Sequence, residues 1–457
     1  MGNTAIRRPI IETDRAFYKS VLVLYIPLVL QTVLTYSVSI VDSIMLGSLS
    51  EVSMSAANIA DQPFNIVSGV IRGLSLGSGI MIAQYWGKRD LESIRRTLSV
   101  GIKLGLLLSA VFTLIGAAFP AQIMSFYTNE EAMIAEGTGY LRTISFTFII
   151  FSVSYSYELA IRSMENARDP LLIMLISYAI NIFLNWCFIF GKMGFPAMGI
   201  MGAALGTLIA RIVELVLCLV HMFALNKKLG FTMSEFKGSY PDIRKKIFKY
   251  GLPNMISETV FTLGISMYTM IFGHLGQAAT SANTIVTMAT RLHEALLSGV
   301  AGASSVLIGK TIGSGEKDKI MPRGNAFIVM AFVVTIISTI LTLSLRGFIL
   351  SLYNTSPETY ELAKQMINVS IGLFLGYTYE CLFVTGILVG GGDTKFIFWY
   401  TTIVMWGFTI PFAMLAAFVF NWSPLTVFTI LKMDYVIKGI VGFIRYFSKK
   451  WIKDVTV

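Results

Sequence analysis

Charge is scarce in this chain: Asp, Glu, Lys and Arg make up 14% of its 457 residues, against roughly 25% in a soluble globular domain. Cysteine and histidine are scarcer still, with three of each. Cys187, Cys218 and Cys381 all fall inside apolar runs. No disulfide framework or metal spacing results, and they read as packing residues. Of the histidines only His293 is expected within an apolar run, so no metal cluster forms. Gly390-Gly391-Gly392-Asp393 is rich in glycine but lacks the Lys-Ser/Thr continuation of a phosphate loop, and reads as a tight turn. No paired acid or nucleophile–base constellation supports an enzyme. A water-soluble protein and a disulfide scaffold are excluded on composition. No small-residue cleavage pattern follows the first apolar run, from Val21, so no cleavable signal peptide is expected.

What the chain has instead is apolar length, with 55% hydrophobic residues. A spanning helix needs about 20 such residues. Runs of that size predict spans at 20–45, 57–85, 98–119, 138–161, 170–190, 200–223, 247–272, 282–310, 325–345, 366–390, 395–420 and 425–446. The fold class is therefore an all-α membrane protein of twelve transmembrane helices, six in each half. No stretch is left over for a soluble catalytic domain.

The first half is echoed 226 residues later, the offset between Pro27 and Pro253. At that offset Gly47 meets Gly273, Gly73 meets Gly299, Ser78 meets Ser304, Gly87 meets Gly313 and Tyr127 meets Tyr353. Six helices per half is an even number, so both halves enter the membrane from one side as parallel repeats related by a pseudo-two-fold axis. Two six-helix lobes are expected at 1–225 and 247–457, with a polar connector at 226–246 containing Lys227, Lys228, Pro241 and Asp242.

Lys and Arg fall on alternate loops. One set of ends holds Arg7, Arg8, Arg15 and Lys19, then Lys88, Arg89, Arg95 and Arg96, and later the cluster Arg244–Lys246. The opposite loops carry Glu51, Glu130, Glu131, Lys192, His274 and Arg346. This bias places both termini in the cytoplasm. It also accounts for most of the net charge of +10 without nucleic acid.

An ionisable side chain at membrane depth is costly and is a functional candidate by default. Asp42 lies in the outer part of the first span, and its repeat partner is Tyr268. The plain alternative is a helix-end residue capping a loop. Asn181 and Asn185 share one helix face; they can offer carbonyl oxygens to a cation, or hydrogen-bond between helices. Glu258 and Glu294 are read as acids of the second lobe, with Thr32 and Ser68 as repeat partners. Glu294 has Arg291 one turn away, whereas Glu258 has no basic neighbour within a turn. Arg72 sits mid-span and calls for an acid that the sequence does not name. Arg72 and Arg291 read as the only clear mid-membrane cations. Tyr155-Ser156-Tyr157-Glu158 is echoed by Tyr377-Thr378-Tyr379-Glu380 at an offset of 222. Each such pair either holds a cation or anchors a helix end. The substrate-cavity candidates are Tyr36, Arg72, Tyr155, Glu158, Glu294, Tyr377 and Glu380.

Three segments resemble the multidrug and toxic compound extrusion (MATE) family. Val41-Asp42-Ser43-Ile44-Met45-Leu46-Gly47 is similar to that family's first helix exit. The stretch from Gly77-Ser78-Gly79 to Ala83-Gln84-Tyr85-Trp86-Gly87 is similar to its second helix and following loop, and Gly194-Phe195-Pro196 with Gly199–Thr207 to its turn into helix six. The resemblance covers about 17 to 453, including Trp451. It implies a V-shaped pair of lobes and export driven by entry of Na+ or H+. In one branch of the family Asp42 and Asn181 match coupling-ion ligands, and Asn185 stands where Asp is frequent. In another branch a helix-seven Glu serves, and Glu258 lies about one turn earlier than it.

The reading is a multi-pass inner (plasma) membrane antiporter, monomeric and without a cofactor. It exports organic, cationic amphipathic compounds by rocking of the lobes, with Asp42, Asn181, Asn185 and Glu258 as the Na+ or proton site. The alternative is a flippase for a lipid-linked precursor, whose cavity should carry several cations facing a pyrophosphate.

Overall fold

The computed structural model describes residues 10–353 and 356–456, without the Glu51 side chain. Arg7 and Arg8 lie outside the described residues. Nearly everything described is helical. The long segments are α1 Arg15–Gly47, α2 Val52–Lys88, α3 Leu91–Ala118, α4 (Glu131–Ser145 with Thr147–Ser163), α5 Arg168–Phe190, α6 Ile200–Leu225, α7 Pro241–His274, α8 Gln277–Gly313, α9 Lys317–Ser351, α10 Pro357–Gly390, α11 Thr394–Val419 and α12 Pro424–Phe447. Ten of these are long and apolar enough to cross a membrane singly, and the α4 pair, bent by 41°, makes an eleventh. The twelfth, α12, has 24 residues but carries Lys432, Asp434, Lys438 and Arg445.

Side chains on the outer faces are those of a lipid-facing surface. On α9, Val329, Phe332, Val333, Ile336, Ile337 and Ile340 are all exposed, a stripe at helical spacing that water would not tolerate. At the bend in α4 the carbonyl of Ser145 is not left orphaned, because Thr113 donates its hydroxyl to it at 3.0 Å. A kinked helix in an apolar medium needs such a substitute donor.

The chain forms two compact units, and they are not simply its two halves. The first comprises Leu30–Ile82 and Asp90–Thr259; the second comprises the described residues up to Val29, Ala83–Arg89 and those from Val260 onward. Thus α1 and α7 each change unit partway along. Each carries its repeat proline, Pro27 or Pro253, ahead of the changeover. Glycine dictates where the borrowed halves pack. A Cβ on Gly73 would stand 2.5 Å from Met255 Cα, and one on Gly77 2.5 Å from Gly251 Cα, so α2 and α7 meet backbone to backbone in the first unit. In the second unit a Cβ on Gly299 would stand 2.6 Å from the Val29 side chain. Gly73 and Gly299, partners at the 226 offset, thus do the same job for opposite crossing helices.

Residues 226–246 do not form a separate linker. They belong to the first unit and lie along α3. Arg95 pairs with Glu235 at 2.9 Å, and Lys103 donates to the Gly238 carbonyl at 2.7 Å. The Thr232 side chain, bonded to Glu235, holds that carboxyl below the usual range.

In the second unit the tail is built into the body. Gln84 donates to the Lys453 carbonyl at 2.9 Å and accepts from the Val455 amide at 2.7 Å. Trp451 is fully buried, and a Cβ on Gly391 would clash with its ring at 2.3 Å. Asp393, 1% exposed, bonds Arg445 at 2.7 Å and Lys453 at 2.5 Å. The Gly390–Asp393 stretch is a turn, as expected, and its carboxylate anchors the tail.

Candidate functional site

In the first unit Asp42, Asn181 and Asn185 come together. Asn185 Nδ2 donates to Asp42 Oδ1 at 2.9 Å, and Asn181 Nδ2 donates to Thr207 Oγ1 at 3.2 Å. The two asparagines also touch, at 3.5 Å. Gly206 makes the room: a Cβ there would fall 2.2 Å from Asn185 Oδ1. That oxygen is buried and accepts no hydrogen bond from the protein. A buried unpaired carbonyl costs on the order of 1–3 kcal/mol and marks a place where a donor or cation would be stabilised. Asp42, Asn181, Asn185 and Thr207 offer only oxygens suited to a hard cation. Asp61, at the break between Glu51–Ala60 and Gln62–Lys88, lies within electrostatic reach of Asp42 and accepts from Tyr140 Oη at 3.3 Å. The sequence signal for Asp61 was an acid inside the 57–85 run; the reading passed over it.

Glu258 corrects an expectation. It belongs to the first unit and not the second, because the glycine contacts of Gly73 and Gly77 draw the first part of α7 onto α2. There it meets the acid-seeking Arg72, with which it interacts electrostatically. Arg72 also donates to Ser68 Oγ at 3.0 Å. Tyr155 feels both charges. Tyr36 lies in the same unit.

Glu158 faces Glu214, with Arg162 and Arg211 close by. Arg211 pairs with Glu214 at 2.7 Å. Tyr155 stacks on Phe151 with centroids 5.3 Å apart, and Tyr178 sits against Arg211. The second unit repeats the pattern. Glu380 lies beside Asp434 and Lys438, and Tyr400 near both acids. The Lys438–Asp434 pair is closed at 2.6 Å with side chains 1% and 2% exposed. Tyr178 and Tyr400 differ by 222, as Glu158 and Glu380 do, and Glu214 and Asp434 by 220. The Tyr–Glu echo is therefore one part of a four-residue constellation built twice.

Glu294 and Tyr377 line a separate small cavity of the second unit, of about 20 Å³, together with Lys432 and Tyr435. His293 forms one wall. It is fully buried, stacked 4.0 Å from Phe374, with Nδ1 on Ser338 at 2.7 Å and Nε2 on Thr378 at 3.5 Å.

Arg72 and Arg291 are not the only cations deep in the helices. Arg211, Lys432 and Lys438 join them. Their signal, a charge inside an apolar run, was present in the sequence. Arg211, Lys438 and Arg72 each face an acid, as does Lys432 across the cavity from Glu294. That is unlike a cationic bed for pyrophosphate. Among the described residues no group of three or more His, Cys, Asp or Glu could hold a metal ion.

Comparison with known proteins gives three results. The MatE family model matches residues 27–187 and 253–415, two segments that begin 226 residues apart. The chain is 25% identical over 440 residues to a probable multidrug resistance protein NorM of Thermotoga maritima, covering 95% of this chain and 93% of that one. It is 22% identical to the uncharacterized transporter YisQ of Bacillus subtilis, over 99% and 98% of the two. A crystal structure of a MATE protein in the bent conformation superposes with a TM-score of 0.85 at 18% identity, covering 96% and 98%.

Proposed function

The chain belongs to the MatE family of membrane transporters, and from that premise we propose that it is a cation-coupled antiporter exporting amphipathic organic cations by alternating access. It is a transporter, not an enzyme. Relatives named for multidrug resistance support the substrate class. The Lys/Arg asymmetry supports an orientation with cytoplasmic termini.

The observation that carries the coupling assignment is the Asp42–Asn185 contact beside the unpaired Asn185 carbonyl. Asp42 supplies the charge, and Asn181, Asn185 and Thr207 supply neutral oxygens. An entering Na+ would satisfy the Asn185 oxygen; an entering proton would neutralise Asp42, with Asp61 as the nearby second acid. Glu258, held by Arg72, serves the same unit as an orienting charge. Buried cations matched to acids favour this reading over a lipid-precursor flippase.

The test is efflux of a fluorescent organic cation from proteoliposomes under separately imposed sodium and pH gradients. Wild-type protein should respond to at least one gradient. Asp42→Asn should respond to neither while inserting at normal abundance; wild-type efflux by that variant would overturn the assignment. Cysteines introduced at 129 and 192 should label from outside, and those at 92, 237 and 317 from the cytoplasm.

A further inference from the structure

The first unit holds a much larger cavity, of about 350 Å³, where α2 and α3 reach the short helix Pro120–Tyr127. Val67 and Phe148, 2% and 1% exposed, form its floor, and Ile66, Phe112, Ile123 and Phe126 stand around it. Two glycines set its shape. A Cβ on Gly116 would stand 2.2 Å from Ser145 Oγ, so α3 closes on the bend of α4. One on Gly137 would stand 2.2 Å from Met124 Cε, so buried Met124 pins the short helix to α4 while its neighbour Ile123 lines the gap. The cavity opens on a lipid face. Leu107, Val111, Leu114 and Ile115 of α3 are exposed at helical spacing, and Ile115 belongs both to that stripe and to the cavity lining. Phe119, Phe126 and Tyr127 are exposed at the same end, as aromatic side chains are at a membrane interface.

We infer that this cavity binds one acyl chain of a bilayer phospholipid, the chain lying over Val67 and Phe148 and its ester end level with Gln122 and Tyr127. Those two carry the only polar side-chain groups of the lining, and both can donate to an ester carbonyl. Water is a poor occupant, since a buried water makes about three hydrogen bonds. An organic cation is another, because no charged side chain lines the cavity. The volume lies within the roughly 300–1,000 Å³ of small-ligand sites, and the medium at its mouth is hydrocarbon. A seated chain also bears on the coupling end of the unit. Val67, Met124 and Phe148 share one core with Ala60 and Tyr140, the chain neighbour and the hydrogen-bond partner of Asp61, so the lipid props the break in α2. The inference needs only a chain that lies in a membrane, whatever ion or compound it carries.

The experiment is photolabelling of the full chain in proteoliposomes that contain a phosphatidylethanolamine with a diazirine midway along one acyl chain. Adducts are located by peptide mass spectrometry, with the exposed Val329 and Ile336 of α9 as the reference for ordinary lipid contact. Val67 and Phe148, though buried, should label at least as strongly as that reference. Ile115→Trp, which narrows the mouth, should lower the floor adducts at least about fivefold and leave those on α9 unchanged. A labelled α9 with an unlabelled floor in the wild type overturns the inference. So do floor adducts that Ile115→Trp leaves unchanged, and floor adducts that excess fluorescent organic cation removes, which would assign the cavity to an exported compound. Should Ile115→Trp fail to insert, the wild-type ratio of floor to α9 adducts decides, supporting the inference at about one or above and overturning it below.

Discussion

The two compact units start from one repeated frame and end with different chemistry. Both hold a Tyr–Glu–Tyr–acid set, half-buried to buried: Tyr155, Glu158, Tyr178 and Glu214 in one, Tyr377, Glu380, Tyr400 and Asp434 in the other. In the first unit the counter-charge is Arg211, whose side chain is 22% exposed. In the second it is Lys438, which is 1% exposed. The first unit adds Asp42 with its asparagines; the second has Tyr268 at the matching position, and there Tyr268 lies against Asp434 and Glu380. Duplication thus kept the groups that shape the helix contacts, while the Asp42–Asn185 contact exists in one copy only.

The comparison can be broken most forcefully at the sealed pair. Asp434→Asn strands a buried ammonium, which costs about 3–5 kcal/mol. The second unit should lose most of its thermal stability in detergent. Asp434→Asn with Lys438→Met should recover much of it. Glu214→Gln should cost less, since the Arg211 side chain is 22% exposed whereas that of Lys438 is 1% exposed. Equal losses would show that the two constellations do the same work.

Next come the repeat glycines. Gly73→Ala would press a Cβ onto the Met255 backbone, whereas Gly299→Ala meets the movable side chains of Val29 and Tyr25. Overpacking costs roughly 1–3 kcal/mol. The first variant should sit at the top of that range and the second at the bottom, as read by melting temperature and membrane abundance.

A third change sharpens the contrast in ion chemistry. Asn185→Asp places a second carboxylate against Asp42, where the donor–acceptor distance is now 2.9 Å. Two adjacent acids hold a cation or a shared proton more tightly. Efflux should therefore saturate at a lower concentration of the coupling ion, with slower turnover at high concentration. The smallest effect is expected at Lys88–Asp454, an ion pair whose side chains are 34% and 35% exposed. Asp454→Ala should shift stability by less than about 1 kcal/mol, and less again in high salt.

Much of this was legible in the chain. Apolar run length located the twelve helices, α12 included, because tolerance of a few charges is easier to judge against eleven neighbours than alone. The single acid at Asp42 and the spacing of Asn181 and Asn185 pointed to one face, and the structure joins them. What the pattern could not say was which helix each face meets. Periodicity is a property of one helix, and the exchange of the first parts of α1 and α7 is decided by glycine contacts between residues far apart in sequence. For that reason Glu258 was assigned to the wrong unit and Arg72 lacked its acid. Asp61, Arg211, Glu214, Lys432, Asp434 and Lys438 were visible as charges in apolar runs. Their partners, being on other helices, were not.

The seat of Gln84 has a consequence for how the protein is made. Its two tail partners lie 369 and 371 residues further along the chain. At roughly 5–20 residues per second, a ribosome needs on the order of 20–75 s to reach them. Through that interval α2 is already synthesised, yet the amide of Gln84 waits for its occupants, and the Gly391 slot for Trp451 comes into being only shortly before the tail does. Residues 90–259 can pack meanwhile, since their unit draws nothing from the tail. Maturation is therefore staggered, with one unit assembling during translation and the other completed by a late plug. A chain stopped before residue 451 should leave a protease-sensitive second unit beside an intact first one.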